Sequence, residues 1–278
     1  MTLPTFLGIG VHRSGTSWLN RLLGSHPDIY IPARRKEIHF FDLYYERGLD
    51  WYAKFFPPDQ EAHQYQAVGE ITPNYFYGDK CPARIAHMKS VQRLILNVRN
   101  PVDRAYSAYS RRVRDTNVME SFEEYLSHHP EIVREGFYST RLRRYLEFFR
   151  REQILVLIYE HSVGVNLSTT KEALSRFLEV DAARFPPESG NQRVYQSSLP
   201  RAGWFYARAF AISEWLRSRD QDWIVNLAKK LGIKAIFASP DSLPSMNEET
   251  REKLRQTFAQ EVEDFESLIQ TDLQCWKS

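Results

Sequence analysis

The stretch that most restricts the fold of this chain is GVHRSGTS, residues 10–17, because it joins two segments of different periodicity. Before it, Thr5–Val11 is a short apolar run of the kind found in buried parallel strands. After it, apolar residues recur with helical spacing from Trp18 to Leu23. The loop approaches the pattern of phosphate-binding loops, but Thr16 stands where the lysine that grips a nucleoside triphosphate is expected. The stretch therefore predicts a strand–loop–helix unit that binds a phosphate or sulfate group.

The rest of the chain continues this alternation of apolar strands and amphipathic helices. Such alternation predicts an α/β fold of the P-loop type, in which helices flank a central, mainly parallel sheet in three layers. From Ala202 onward the pattern turns helical, and a long helix follows Ser245, which forms a possible capping box with Glu248. No repeat or linker interrupts the sequence, so we expect one domain over residues 1–278. The expected strands are 66–72, 93–99 and 154–160, and the expected helices are 83–88, 101–114, 137–153 and 168–180.

Composition narrows the class of function. The formal net charge is only +2, which argues against nucleic-acid binding by bulk charge. The basic residues are nevertheless mostly arginine, whose fork pairs with oxyanions, so local anion sites are expected. The two cysteines, Cys81 and Cys275, cannot form a metal site by themselves. No leader and no apolar run of membrane-spanning length is recognisable, so we expect a cytoplasmic protein without a membrane segment.

A second anion site is suggested by Arg99 and Ser107. Arg99 ends an expected strand, and Ser107 lies in the helix that follows it. Strand ends and early helical turns meet at the carboxyl edge of a parallel sheet, where such folds bind ligands. Taken alone, the same two residues are also compatible with a surface arginine and a serine that packs within a helix.

Six segments together resemble a known family. GVHRSGTSWL, KEIHFFD, WYAKFF, GEITPNYF, RNPVDRAYSAY and REQILVL occur in the order and spacing of sulfotransferases that use 3′-phosphoadenosine-5′-phosphosulfate (PAPS). The resemblance is greatest to heparan-type carbohydrate sulfotransferases and their bacterial relatives, and it covers about Thr5 to Leu178. It accounts for the missing lysine, since a phosphosulfate has no γ-phosphate and no Mg²⁺ partner to hold. The resemblance implies PAPS as co-substrate, 3′,5′-ADP as product and no required metal.

The resemblance also implies roles for individual residues. Glu37 falls on the catalytic base, and His39 falls on a histidine that supports the base and the substrate. In an extended segment these two side chains would share one face. Arg13 would stabilise charge on the donor, and Arg201 in the late loop would contact the nucleotide. The residues that would hold the 5′-phosphosulfate are Arg13, Ser14, Gly15, Thr16 and Ser17, and those that would hold the 3′-phosphate are Arg99 and Ser107.

The chain departs from the family pattern at several positions. Arg13 replaces a lysine of most members, which keeps the positive charge but removes a proton donor. Ile71 replaces a lysine common in heparan-type members, which weakens the case for a sulfated polysaccharide acceptor. Glu70 beside it is open to two interpretations, a paired structural carboxylate or a second base. The late loop around Arg193 and Arg201 matches worst.

Three functions remain to be separated. The first is sulfuryl transfer from PAPS to a hydroxyl or amine of a small-molecule, carbohydrate or other acceptor, with Glu37 as base. The second is a small-molecule kinase, which would need a lysine at Thr16 and an acidic Mg²⁺ site. The third is a non-catalytic module that binds a nucleotide or an anionic glycan. Such a module would not need a base, so the pair of Glu37 and His39 argues against it. Neither the acceptor, the choice between O- and N-sulfation nor the oligomeric state can be predicted from this sequence.

Overall fold

The computed structural model describes residues 1–116, 120–163, 165–190 and 246–277, together with 199–200, 212, 216, 219–221 and 238–239. The chain packs as two compact units. The first comprises Met1–Asn100, Phe137–Val194 and Ala259–Ser278, and the second comprises Pro101–Gly136 and Tyr195–Phe258. These units describe packing and not independent folding, so the expectation of one domain over 1–278 stays a prediction.

A five-stranded parallel sheet lies in the first unit, which confirms the predicted α/β class. The strand order is β2-β3-β1-β4-β5, so β1 is central. The chain continues from β1 to β2 and β3 on one side of it, and then crosses to β4 and β5 on the other side. Such a switch point opens a crevice at the carboxyl edge of the strands, where ligands bind. The strands are β1 Phe6–Gly10, β2 Ile29–Tyr30, β3 Ala67–Ile71, β4 Arg93–Val98 and β5 Ile154–Ile158.

The predicted helices are present in the described residues, with adjusted ends. The helical spacing that suggested 137–153 ends early, because the chain turns after Leu146 and buries Phe149. The last strand of the sheet likewise ends at Ile158, two residues before the expected end, because a short helix begins at Tyr159. The helices of the first unit are α1 Thr16–Gly24, α2 Gly48–Ala53, α3 Asp59–Ala62, α4 Cys81–His87, α8 Tyr138–Leu146, α9 Tyr159–Ser162, α10 Leu167–Leu178 and α12 Gln274–Lys277.

The second unit contains α5 Pro101–Thr116, α6 Phe122–His128 and α7 Pro130–Arg134, and α11 Glu248–Ile269 contributes its first turns to it. A two-residue antiparallel pair joins β6 Leu199–Pro200 to β7 Ala238–Ser239. Ser245 of the expected capping box, and most of the region expected to be helical after Ala202, lie outside the described residues. Within the described part of the chain, no helix combines the length and apolarity needed to cross a bilayer.

The core of the first unit explains why the opening stretch folds as it does. Every residue of β1 is buried, as expected for a strand covered on both faces. The apolar stripe of α1 faces this layer and joins one buried cluster with strand residues such as Phe6 and Ile71. Packing of the helix on the strand places the intervening loop at the carboxyl edge of the sheet.

Candidate active site

The loop between β1 and α1 has several features that are typical of anion-binding loops. Gly15 precedes the helix with φ 82°, a left-handed conformation that favours glycine, and a Cβ there would lie 3.0 Å from Cδ2 of Tyr159. The N-cap residue of α1 is this glycine, so it has no side chain with which to cap the first amides of the helix. Ser14 is fully buried, and its hydroxyl oxygen finds no hydrogen-bond partner among the described residues. A buried hydroxyl beside uncapped helix amides is the donor set that a phosphate or sulfate requires.

One residue of β4, Asn97, bonds to this loop at two points. The amide of Val11 donates to the Asn97 carbonyl at 2.5 Å, and Asn97 Nδ2 donates to the Ser14 carbonyl at 3.4 Å. Arg13 adopts φ 67°, which is uncommon for a residue with a side chain. Such conformations persist where the surrounding structure enforces them, often at binding sites.

Arg99, the residue predicted to bind a second anion, contacts the backbone of the loop between β1 and α1. Its Nη1 donates to the Arg13 carbonyl at 3.5 Å, and its guanidinium carbon lies 4.6 Å from the centre of the Tyr159 ring. Its Nε is buried without a hydrogen-bond partner in the described ranges, so it can still donate to a ligand. Ser107 is a half-buried residue of α5 in the other unit, and its pairing with Arg99 stays a prediction. Arg193 and Arg201 lie outside the described residues.

The C-terminal residues reach the same strand end. Glu160 accepts a hydrogen bond from the Asn100 amide at 2.9 Å and another from Nε1 of Trp276 at 2.9 Å. The Tyr138 hydroxyl donates to the Arg99 carbonyl at 2.9 Å. The backbone that carries Arg99 is therefore supported by three segments that are distant in the sequence.

Glu37 is linked to the loop through Lys36. The Lys36 ammonium nitrogen lies 2.9 Å from the Ser17 hydroxyl, in the first turn of α1, and 2.5 Å from Oε1 of Glu37. Burial acts to raise the pKa of Glu37, but the Lys36 charge and hydrogen bond, with smaller effects of His12 and His39, lower it below its usual value. Glu37 is therefore an ionised carboxylate beside the predicted anion loop.

The expectation that residues 37–39 are extended is wrong. Glu37 has φ 62° and His39 has φ 60°, so both adopt the left-handed conformation. The chain turns here, because the amides of Leu43 and Tyr44 both donate to the His39 carbonyl at 3.0 Å. The two side chains do not share a face through strand alternation, although their charges still influence each other's pKa.

His39 is oriented by Asp42. Its Nδ1 lies 2.8 Å from Oδ2 of Asp42, and its backbone amide donates to the Thr72 hydroxyl at 3.4 Å. Burial acts to lower the pKa of His39, but the hydrogen bond and charge of Asp42, helped by Glu37 and Glu70, raise it overall. The contact with Asp42 therefore holds the ring in one orientation and stabilises its protonated form relative to a free histidine.

Glu70 is a buried carboxyl group surrounded by hydroxyl donors. Its oxygens accept hydrogen bonds from Tyr75 at 2.6 Å, Thr72 at 2.8 Å and Tyr52 at 3.2 Å. Burial raises its pKa to about 7, although these hydrogen bonds oppose the shift. Thr72 and Tyr75 in turn accept the amides of His39 and Phe40. This arrangement favours the structural interpretation of Glu70, since the carboxyl group orders the segment that carries Glu37.

Sequence reasoning missed two residues of this region. Lys36 lies inside the KEIHFFD motif, and its position next to a candidate base was the available signal. Trp276 had no such signal, since 116 residues separate it from Glu160. For metals, no group of three or more histidine, cysteine or acidic side chains able to hold an ion occurs in the part of the chain that the structure describes.

Comparison with known proteins identifies relatives. The sequence profile of the sulfotransferase domain family matches residues 3–202. Human heparan sulfate glucosamine 3-O-sulfotransferase 6 is 36% identical over 169 residues, which are 58% of this chain and 48% of that protein. Human bifunctional heparan sulfate N-deacetylase/N-sulfotransferase 3 is 31% identical over 198 residues, 64% of this chain and 22% of that protein. The crystal structure of a sulfotransferase from Alicyclobacillus acidocaldarius superimposes with a TM-score of 0.70 at 25% identity and covers 100% of both chains. The chain thus spans about half the length, or less, of the curated relatives it matches.

Proposed function

The chain belongs to the sulfotransferase domain family, and from that membership we propose that it transfers a sulfuryl group from PAPS to a hydroxyl or amine of an acceptor. Glu37 is the proposed base. The observation that carries this proposal is the position of the Glu37 carboxylate, one ammonium group away from the Ser17 hydroxyl at the start of α1. An ionised base and an anion loop in one place are the two parts that sulfuryl transfer needs.

The donor fits the groups that the site leaves open. The loop offers the buried Ser14 hydroxyl and the uncapped amides of α1 to the 5′-phosphosulfate. The Arg99 side chain, with a buried Nε that has no described partner, would take the 3′-phosphate, with Ser107 as a predicted second ligand. Two anion sites at one sheet edge suit a nucleotide that carries anionic groups at the 3′ and 5′ positions of its ribose.

The chemistry assigns one task to each side chain. When bound, PAPS supplies an activated sulfur with a phosphate leaving group. Glu37 takes the proton from the hydroxyl or amine of the acceptor. The oxygen or nitrogen of the acceptor forms a bond to sulfur, and the bond between sulfur and the phosphate oxygen breaks. Arg13 and the loop amides stabilise the charge on the phosphate without giving up a proton, because a guanidinium stays protonated. His39, which is held by Asp42, is proposed to form a hydrogen bond with the acceptor oxygen.

The proposal leaves the acceptor as a hydroxyl- or amine-bearing small molecule, carbohydrate or other compound. The relatives' names refer to heparan sulfate glucosamine, but Ile71 stands where heparan-type members commonly have a lysine. A panel of glycans, phenols, lipids and peptides with labelled PAPS would identify the class of acceptor.

The expected cytoplasmic location stays a prediction, which fractionation of cells expressing the tagged protein would test.

The proposed donor can be tested before any acceptor is known. We expect 3′,5′-ADP to raise the melting temperature of the protein more than ATP with Mg²⁺ does, because the site lacks the triphosphate lysine. Stronger stabilisation by ATP with Mg²⁺ would instead favour the kinase alternative. If 3′,5′-ADP binds but no label leaves PAPS for any acceptor or for water, the non-catalytic alternative is supported.

A further inference from the structure

Lys36 contacts both halves of the candidate site, the anion loop and the proposed base. Its Nζ lies 2.9 Å from Ser17 Oγ and 2.5 Å from Glu37 Oε1. We propose that Lys36 is shared between the donor and the base: it holds Glu37 while the loop is empty, and it turns to the bound phosphosulfate when the donor arrives. The inference rests on the proposed function and deepens it.

The backbone brings these two neighbouring side chains together. Consecutive side chains in an extended segment point to opposite faces, so adjacent residues seldom share a hydrogen bond there. The left-handed turn at Glu37, with φ 62°, removes this separation. Such a conformation is unfavourable for a residue with a side chain and persists where other contacts enforce it. Here the contacts of the following amides with Thr72 and Tyr75 hold the turn.

The pairing makes Glu37 a poor base as long as it lasts. A general base is most effective when its pKa lies near the working pH. The groups that face Glu37 are Lys36, His12 and His39, and His39 is itself beside Asp42 and Glu70. Burial alone would raise the pKa of Glu37, and it is chiefly Lys36 that reverses the shift. Moving the ammonium away from the carboxylate would therefore restore its basicity.

A bound anion is the agent that can move it. Ser17 lies in the first turn of α1, next to the amides that would bind the donor. A lysine ammonium has three donors on a flexible stem, so it can exchange a hydroxyl for a phosphate or sulfate oxygen without leaving the site. Lys36 stays protonated throughout, and only Glu37 accepts a proton from the acceptor. Both side chains are about one-third exposed, at 32% and 31%, which leaves space for the movement.

Calorimetry with 3′,5′-ADP tests the donor half of the proposal. Lys36→Met should weaken binding about tenfold, since a charge-assisted hydrogen bond to the anion is lost. Lys36→Arg keeps the charge and should bind within about threefold of the wild type. Lys89→Met is the matched control, because Lys89 is exposed in the turn before β4, at the opposite edge of the sheet. Unchanged affinity in Lys36→Met, or equal losses in Lys36→Met and Lys36→Arg, would overturn the inference.

Proton uptake tests the base half. Binding measured at about pH 5 in buffers of different ionisation enthalpy should show more proton uptake by the wild type than by Glu37→Gln, because the released carboxylate gains a proton. The ligand's own protonation is the same in both titrations and cancels in the difference. Equal uptake by the two proteins would show that Lys36 stays on Glu37, and the inference would fail.

Failure of this inference and failure of the proposed function can be told apart. If Arg99→Ala weakens binding of 3′,5′-ADP while Lys36→Met does not, the proposed function stands without this inference. If the wild type does not bind 3′,5′-ADP, both fail.

Discussion

Glu37 is the residue on which the proposed reaction depends most directly. A general base contributes about 10²–10⁴-fold to the rate, so Glu37→Gln should lower kcat by about that factor. Affinity for 3′,5′-ADP should not fall, because the carboxylate acts on the acceptor and does not contact the donor. Sulfate transfer from labelled PAPS and calorimetry measure the two quantities.

The control for this substitution is Glu147→Gln, which removes an exposed carboxylate just after α8. It should turn over at the wild-type rate. Undiminished turnover in Glu37→Gln would move the base to another group.

Glu70 should affect stability through its proton. Burial raises its pKa from 4.5 to about 7, so the folded protein holds this proton at pH values where the unfolded chain has lost it. Stability from this group is therefore fully present below pH 4.5 and is lost as the pH rises toward about 7. Glu70→Gln removes the ionisation, so its melting temperature should fall less steeply with pH across this window. Thermal unfolding at a series of pH values measures the slopes, and parallel curves would contradict the assigned shift.

At the scale of elements, the strand–loop–helix unit depends on one backbone conformation. Gly15→Ala would place a Cβ at a left-handed position and 3.0 Å from the Tyr159 ring, on which Arg99 lies. We expect a loss of about 1–2 kcal/mol in the free energy of unfolding and weaker binding of 3′,5′-ADP.

Gly24→Ala is the matched control on the same helix. A Cβ at Gly24 would meet Ile31 at 3.7 Å, an ordinary contact, and its φ is not left-handed. Denaturant unfolding should show this variant as stable as the wild type, or slightly more stable. If Gly15→Ala unfolds and binds like Gly24→Ala, the loop does not need its left-handed residue.

Elements were predictable where one period dominated a segment. The apolar runs that became β1, β3, β4 and β5 and the helical spacing of α1 identified those elements to within a residue or two. The two-residue strand β2 was missed, because a segment this short has no measurable period. The segment around Glu37 was misjudged, since its turn is held by hydroxyl groups of Thr72 and Tyr75 from another part of the chain.

At the scale of the whole molecule, the last residues of the chain support the predicted nucleotide site. Trp276→Phe keeps a ring to stack on Phe265, with centroids 6.1 Å apart and planes 9° apart, but loses the hydrogen bond to Glu160. We expect a loss of about 1–2 kcal/mol in stability. Affinity for 3′,5′-ADP should fall several-fold while affinity for 5′-AMP changes little, because the support acts on the strand end that carries Arg99.

Two variants bracket this expectation. Arg99→Ala removes the predicted ligand itself and should show the largest loss of preference for the 3′-phosphate. Lys277→Met changes a residue of the same short helix as Trp276, removes only the ion pair with Glu266 of α11, and should bind both nucleotides normally. A Trp276→Phe protein that binds 3′,5′-ADP as tightly as Lys277→Met would show that the C-terminal contact is purely structural.

The sequence by itself determined the fold class, the family and the position of the loop between β1 and α1, since these depend on local periodicity and on the order of short motifs. Only the tertiary structure decided which groups meet at the site. Lys36 bonds a serine 19 residues away, and Trp276 bonds a carboxylate 116 residues away. Burial and neighbouring charge, which set the opposite pKa shifts of Glu37 and Glu70, arise from the same long-range packing. Neither distance nor burial is encoded in the spacing of residues along a chain, because both depend on segments that become neighbours only when the protein folds.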